Sequence, residues 1–268
     1  MDVLVVDTHA HLDMSAFDED RTEIITRAVD VGVGNIITVG IDLESSKKAI
    51  ELSKHYAGIY AAVGIHPHDV ANIDKTDIKK LSEIATYPGV VAIGETGLDF
   101  YRDYSPRETQ IQALKWQLAL SAEMKLPVII HCRQAEEDLL HLLRSWISDY
   151  GDTHRQYQGV IHCFNNDSNT TKEYLNMGFH LSLGAYIGYP TSTETYDVIR
   201  SIPKDRLLVE TDCPFLPPQN YRGKRNEPAY LPLTVRALAE IREESYEDVA
   251  KVTTLNAQRL FRLPLSNN

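Results

Sequence analysis

Short, nearly continuous apolar runs alternate with stretches whose apolar residues recur every three or four positions, from one end of the chain to the other. The runs predict strands at VLVVD (3–7), NIITVG (35–40), IYAAVG (59–64), VVAIGE (90–95), PVIIHC (127–132), GVIHCF (159–164), HLSLGA (180–185) and RLLVET (206–211). Between and after them the periodicity predicts helices over 19–31, 44–56, 74–86, 105–125, 135–147, 169–177, 193–201 and 231–242. Strands that are apolar on both faces belong to a parallel sheet covered on both sides. Eight βα units, averaging roughly 33 residues each, fit a (β/α)8 TIM barrel better than an open doubly wound sheet. A last amphipathic segment, YEDVAKVTTLNAQRLFRL, predicts an additional C-terminal helix over the barrel from outside or below, with Asn256 in a packing or turn role.

No linker rich in Pro, Gly or Ser divides the chain, so residues 1–268 read as a single domain. The formal net charge of -11 argues against affinity built on long-range attraction to a polyanion. With no signal-peptide pattern and no long apolar run, the reading is a cytoplasmic protein without a membrane partner. Sequence assigns no oligomeric state. Cys132, Cys163 and Cys213 are too few and scattered for a disulfide framework, and read as small residues packed behind the strands.

Chemistry concentrates at the predicted strand ends: DTHAH, GIHPH, GETGLD, HCR, HCF and ETD. In a barrel these ends share one mouth. A His-x-His pair aims both imidazoles the same way on an extended backbone. His9, His11, Glu95, His131, His162 and Asp212 together suit a two-ion site, because buried imidazoles and carboxylates without partners are costly. The ligand types favour Mg, Mn or Zn over thiolate-seeking ions. Asp212 has a second expected role, as the general base that takes a proton from ion-activated water.

His66 ends a strand and is a candidate for substrate or phosphate contact; His68 is weaker. His55, His141, His154 and His180 read as solvated or packing residues. Arg133, two residues beyond His131, and Arg222, Lys224 and Arg225 in the long loop of about 212–232 supply positive charge for phosphate.

The set DTHAHLD, GIHPH, GETGLD, IIHCR, IHCF, ETDCPFL and RGKRNEP, closing with LNAQRLFRL, resembles the TatD-type metal-dependent deoxyribonucleases of the amidohydrolase superfamily, in order along nearly the whole chain. The resemblance implies a (β/α)8 barrel that hydrolyses DNA with two divalent ions. His9, His11, Glu95 and Asp212 would hold one ion and Glu95, His131 and His162 the other, with Glu95 bridging. It further implies 3′-5′ exonuclease action on single-stranded DNA or 3′ ends, by a two-metal hydroxide mechanism with Asp212 as base. A DNA-repair setting follows from the same resemblance. Glu95, at the end of strand four with no lysine beside it, stands where many superfamily members use a carboxylated lysine. His66, Arg133 and Arg225 would grip a terminal nucleotide, and Phe100, Tyr101, Phe164 or Tyr221 would stack on bases. Two alternatives remain: an ester or amide hydrolase such as an aminoacyl-tRNA deacylase using the same site, and a non-catalytic quality-control binding protein.

Overall fold

A computed structural model describes residues 4–150 and 158–264. Among these residues, eight parallel strands lie in the order of the sequence: β1 (Val5–Ala10), β2 (Val33–Val39), β3 (Ile59–Val63), β4 (Val90–Asp99), β5 (Val128–Arg133), β6 (Gly159–Ile161), β7 (His180–Leu183) and β8 (Leu207–Val209). The circle is joined between its first and last members by an Ala10–Cys213 bridge, with Asp212 N–H donating to His9 O and His11 N–H to Cys213 O, each at 2.8 Å. This is the expected (β/α)8 barrel. The outer helices are α1 (Arg21–Asp30), α2 (Leu43–His55), α3 (Lys75–Ile84), α4 (Arg107–Met124), α5 (Glu136–Tyr150), α6 (Ser168–Asn176), α7 (Thr193–Ser201) and α8 (Leu231–Arg242). Several begin on side-chain caps that satisfy the free N–H groups of the first turn: Asp42 on α2, Asp74 on α3, Asp167 on α6 and Ser192 on α7.

Two apolar layers form because strand side chains alternate. One set, including Val5, Ile36, Ile93, Ile130 and Val209, packs against the helices. The other, including Val6, Ile37, Ala92, Ile129, Val160 and Leu208, fills the barrel together with Ala257, Leu260, Phe261 and Leu263. The C-terminal helix α9 (Tyr246–Phe261), capped by Ser245, therefore closes the end of the barrel opposite the mouth. Asn256 has the packing role expected of it: its amide donates to Lys204 O and Leu207 O, tying α9 to the entry of β8.

Strands β1 and β4 run further than their apolar stretches suggest, to Ala10 and Asp99, whereas β6 and β8 stop at Ile161 and Val209. Each long strand carries an irregularity. Between Asp7 and Ala10 the chain advances three residues while β2 advances two, and between Ile93 and Thr96 it does so against β5. An extra residue reverses which face the following side chains take. Without it, His9 and His11 would share the outward face of Val5, and Glu95 that of Ile93. The two bulges turn all three into the mouth.

Candidate metal centre

The side chains of His9, His11, Glu95, His131, His162 and Asp212 converge at the floor of a cavity of about 800 Å³ at the C-terminal ends of the strands. Glu95, 3% exposed, stands at the middle. Its Oε2 lies 3.4 Å from His9 Nε2 and 3.8 Å from His11 Nε2. Its Oε1 lies 3.1 Å from His131 Nδ1 and 3.0 Å from His162 Nε2. Asp212 Oδ1 faces the first pair only, 3.4 Å from His11 Nε2 and 3.8 Å from His9 Nε2. One carboxylate thus offers one oxygen to each of two histidine pairs.

The second nitrogen of each ring decides which atom is free to bind a cation. His11 Nδ1 donates to Val39 O at 2.9 Å, leaving the Nε2 lone pair inward. His131 Nε2 donates to Asp99 Oδ2 at 3.2 Å, so Nδ1 faces Glu95. His162 Nδ1 lies 3.4 Å from Glu210 Oε1, so Nε2 faces Glu95. His9 Nε2 is 3.2 Å from His11 Nε2, two basic nitrogens aimed at one place. Imidazole and carboxylate donor atoms gathered this closely fit divalent cations, which would displace the protons they share.

His66 belongs to the same cluster, its Nε2 3.4 Å from Glu95 Oε1, but its tautomer separates it from the ligands. Nδ1 accepts the backbone N–H of His68 at 3.1 Å, so Nε2 carries the proton and acts as a donor. This suits the phosphate contact expected of it.

The electrostatics of the protein alone agree with a cation-seeking site. Burial would raise the Glu95 carboxyl, but His162 and His66 hold it well below the carboxylate range. Asp212 is likewise lowered, burial being outweighed by its bond to His11 and by His162. Burial lowers His11, yet Asp212 and Glu95 bring it up to about 9, and Glu95 and Glu210 raise His162 well above normal. Burial dominates at His9, which is lowered, and at His66, which falls to about 4.

Backbone conformation places the later members. Asp212 has a φ of 55° and Cys163 a φ of 47°, so the alternation of β8 and β6 is broken at these residues. That break corrects the expectation for Cys163, which is partly exposed in the cavity wall; Cys213 is buried, and Cys132 packs behind β5 near Tyr174 while its edge reaches the cavity. Glycine at 97, φ 147°, keeps β4 against β5, since a Cβ there would run into His131 O.

Arg133 lines the cavity, its guanidinium 4.0 Å over the Tyr101 ring. Arg225 does not. It forks onto Asp20 Oδ1 and Oδ2 at 2.9 and 2.6 Å, while Glu227 binds Arg27 at 2.7 Å. The RGKRNEP stretch is a latch from the long loop to α1, in which Arg225 faces Asp20 and not the cavity. Arg222 lies over Tyr189 and Lys224 over Tyr221, both away from the cavity wall. Of the expected stacking residues, Phe164 is buried, Phe100 packs under Arg107 and Tyr221 stacks on Tyr230; Tyr101 is exposed at the mouth. His68 donates to Asp99, His55 bonds its own helix, His141 is exposed and His180 begins β7; His154 lies outside the described residues.

Asp99, Glu210, Arg102 and Phe215 are site residues that sequence reasoning passed over. Asp99 was within reach, since it lies four residues from Glu95 on one strand and so on the same face. Glu210 lies just past the end of β8, where the alternation no longer reaches Asp212. Arg102 and Phe215 sit on loops, where no periodicity announces orientation.

A parallel eight-stranded barrel with a histidine and carboxylate centre at its C-terminal mouth has the architecture of a metal-dependent hydrolase. Residues 6–262 match the family model of the TatD related DNases, and the chain belongs to that family. It is 40% identical over 260 residues to the uncharacterized metal-dependent hydrolase YabD of Bacillus subtilis, covering 97% of this chain and 100% of that one. It is 36% identical to the 3′-5′ ssDNA/RNA exonuclease TatD of a Rahnella species, covering 94% and 96%. The crystal structure of YJJV, a TatD homologue from Escherichia coli, superposes with a TM-score of 0.89 at 31% identity, covering 97% of this chain and 98% of that one.

Proposed function

We propose that the chain is a single hydrolase domain that cleaves nucleic-acid phosphodiesters, acting from the 3′ end of single-stranded DNA. The observation that carries this is the division of Glu95 between two histidine pairs, one oxygen to each, at the floor of an open cavity with a guanidinium in its wall. Relatives named as 3′-5′ ssDNA/RNA exonucleases support the polarity and add RNA to the substrates to be tested.

His9, His11 and Asp212 with Glu95 would hold one divalent ion, and His131 and His162 with Glu95 the other. Two such ions, Mg, Mn or Zn, supply charge neutralisation at phosphorus and acidify water for attack. Asp212 is ionised and at the cavity surface, so it accepts the proton released by the attacking water. His66 presents its Nε2 proton to a non-bridging phosphate oxygen, fixed in that tautomer by the His68 amide. Arg133 offers a planar donor fork to phosphate from its place over the Tyr101 ring.

The test is metal analysis of the purified protein, followed by chelation, reloading and digestion of 5′-labelled single-stranded DNA, duplex DNA and RNA. The expected result is a ladder shortening from the 3′ end of the single strand, lost on chelation and restored by Mg, Mn or Zn. A reloaded protein that binds its ions and cuts no nucleic acid would sink the reading.

A further inference from the structure

Resting on that nucleic-acid reading, we infer that the mouth carries two substrate subsites on opposite sides of the centre: a base platform at Phe215 and a phosphate fork made by Arg102 and Arg133 on Tyr101. The strand order sets the opposition. In a closed ring of eight strands taken in sequence, the β8–β1 junction lies across from the β4–β5 junction. Phe215 follows β8 and meets His11 of the β1 end edge-on, ring centroids 5.9 Å apart. Arg102 follows β4, and Arg133 ends β5.

Both features have exposed faces and are held in place. Phe215 is 49% exposed in the cavity wall, an unusual position for a phenyl ring. Its carbonyl and that of Leu216 accept from the buried Asn226 amide, which also donates to Thr211 O, so the backbone that carries the ring is tied to the turn that carries Asp212. Across the mouth, Arg133 and Arg102 lie 4.0 and 5.6 Å from the Tyr101 ring centroid. Among the described residues neither guanidinium has a carboxylate partner, in a molecule whose net charge is -11. The Tyr101 and Arg102 amides both bond Asp99 Oδ1, at 3.0 and 2.8 Å, which fixes the loop.

A flat hydrophobic ring on one side and a paired cation on the other match a nucleotide base and the phosphate of its neighbour, with the scissile linkage between them. A base inside a duplex cannot offer its face to Phe215, so the platform selects unpaired ends.

The test uses the ion-loaded protein and a short fluorescein-labelled single strand with phosphorothioate 3′ linkages and 2-aminopurine among its terminal bases. Wild type should quench the 2-aminopurine. Phe215→Ala should lose that quench and bind roughly five- to 160-fold more weakly, and Phe215→Trp should restore both. Arg102→Gln with Arg133→Gln should lower the slope of log K against log salt by about 0.7, the amount for one phosphate no longer neutralised on a single strand. Hydrolysis of bis(p-nitrophenyl) phosphate, too small to span the mouth, should fall less than hydrolysis of the strand. Wild-type quenching in Phe215→Ala, an unchanged salt slope in the arginine double variant, or equal losses on both substrates would overturn the inference. Failure of the underlying reading shows instead in the wild-type protein, which would neither bind nor cut the strand.

Discussion

Asp99→Asn changes one atom of a buried carboxylate and should remove His131 from the ion site. Asp99 is 1% exposed, and its Oδ2 takes the Nε2 protons of His68 and His131 at 2.9 and 3.2 Å. An asparagine keeps an oxygen for the Tyr101 and Arg102 amides but turns an NH2 donor toward both histidines. His131 then accepts at Nε2 and carries its proton on Nδ1, the atom 3.1 Å from Glu95 Oε1, where the ion needs a lone pair. Loss of such a supporting group costs about 10- to 100-fold in ion affinity, or about 1.4–2.7 kcal/mol at 1.36 kcal/mol per tenfold. The tight backbone bonds survive, so the loss should appear in binding before it appears in the melting temperature. Titration with Mn or Zn measures affinity and stoichiometry, and long-range 1H–15N spectra of the imidazoles identify the tautomer. Wild-type affinity for two ions, with the His131 proton on Nδ1, would refute the reasoning.

Four further outcomes follow. Asp212→Asn should lower kcat at least 100-fold on single-stranded DNA, about 2.7 kcal/mol in the barrier; full activity would remove Asp212 as the base. Arg225→Ala should leave KM for DNA near wild type while lowering thermal stability through loss of the Asp20 fork, a half-buried surface pair worth about 1 kcal/mol; a tenfold rise in KM would return Arg225 to the substrate site. Gly97→Ala should destabilise the barrel by about 2–6 kcal/mol, combining strain at φ 147° with the collision against His131 O, as read by urea unfolding. His180 is lowered from 6.5 to about 4 by burial and by Arg206. Its unfolded form therefore binds the proton first, so stability should fall as pH drops from about 6.5 toward 4, by up to about 3 kcal/mol, and His180→Leu should flatten that slope in melts across the same window.

Much of this protein was determined by the sequence alone. Apolar runs and helical periodicity place the barrel strands and the helices around them within a few residues, because burial on both faces of a parallel sheet leaves a local imprint on composition. The ligand types at the strand ends were equally visible, since chemistry is written in residue identity. Orientation was not. His9, His11 and Glu95 reach the mouth through two bulges that become visible only as register against β2 and β5. Arg225, in the long loop, and Arg133, at the end of β5, carry the same charge; what separates them is their surroundings, Asp20 for one and an open cavity for the other. The proton on His66, and the lone pairs on His11 and His131, depend on carbonyls, amides and carboxylates from other elements. Contacts between residues far apart in sequence leave no periodic trace, so the tertiary structure alone decided which imidazole nitrogens turn toward Glu95, which one carries a proton there, and which arginine faces the cavity.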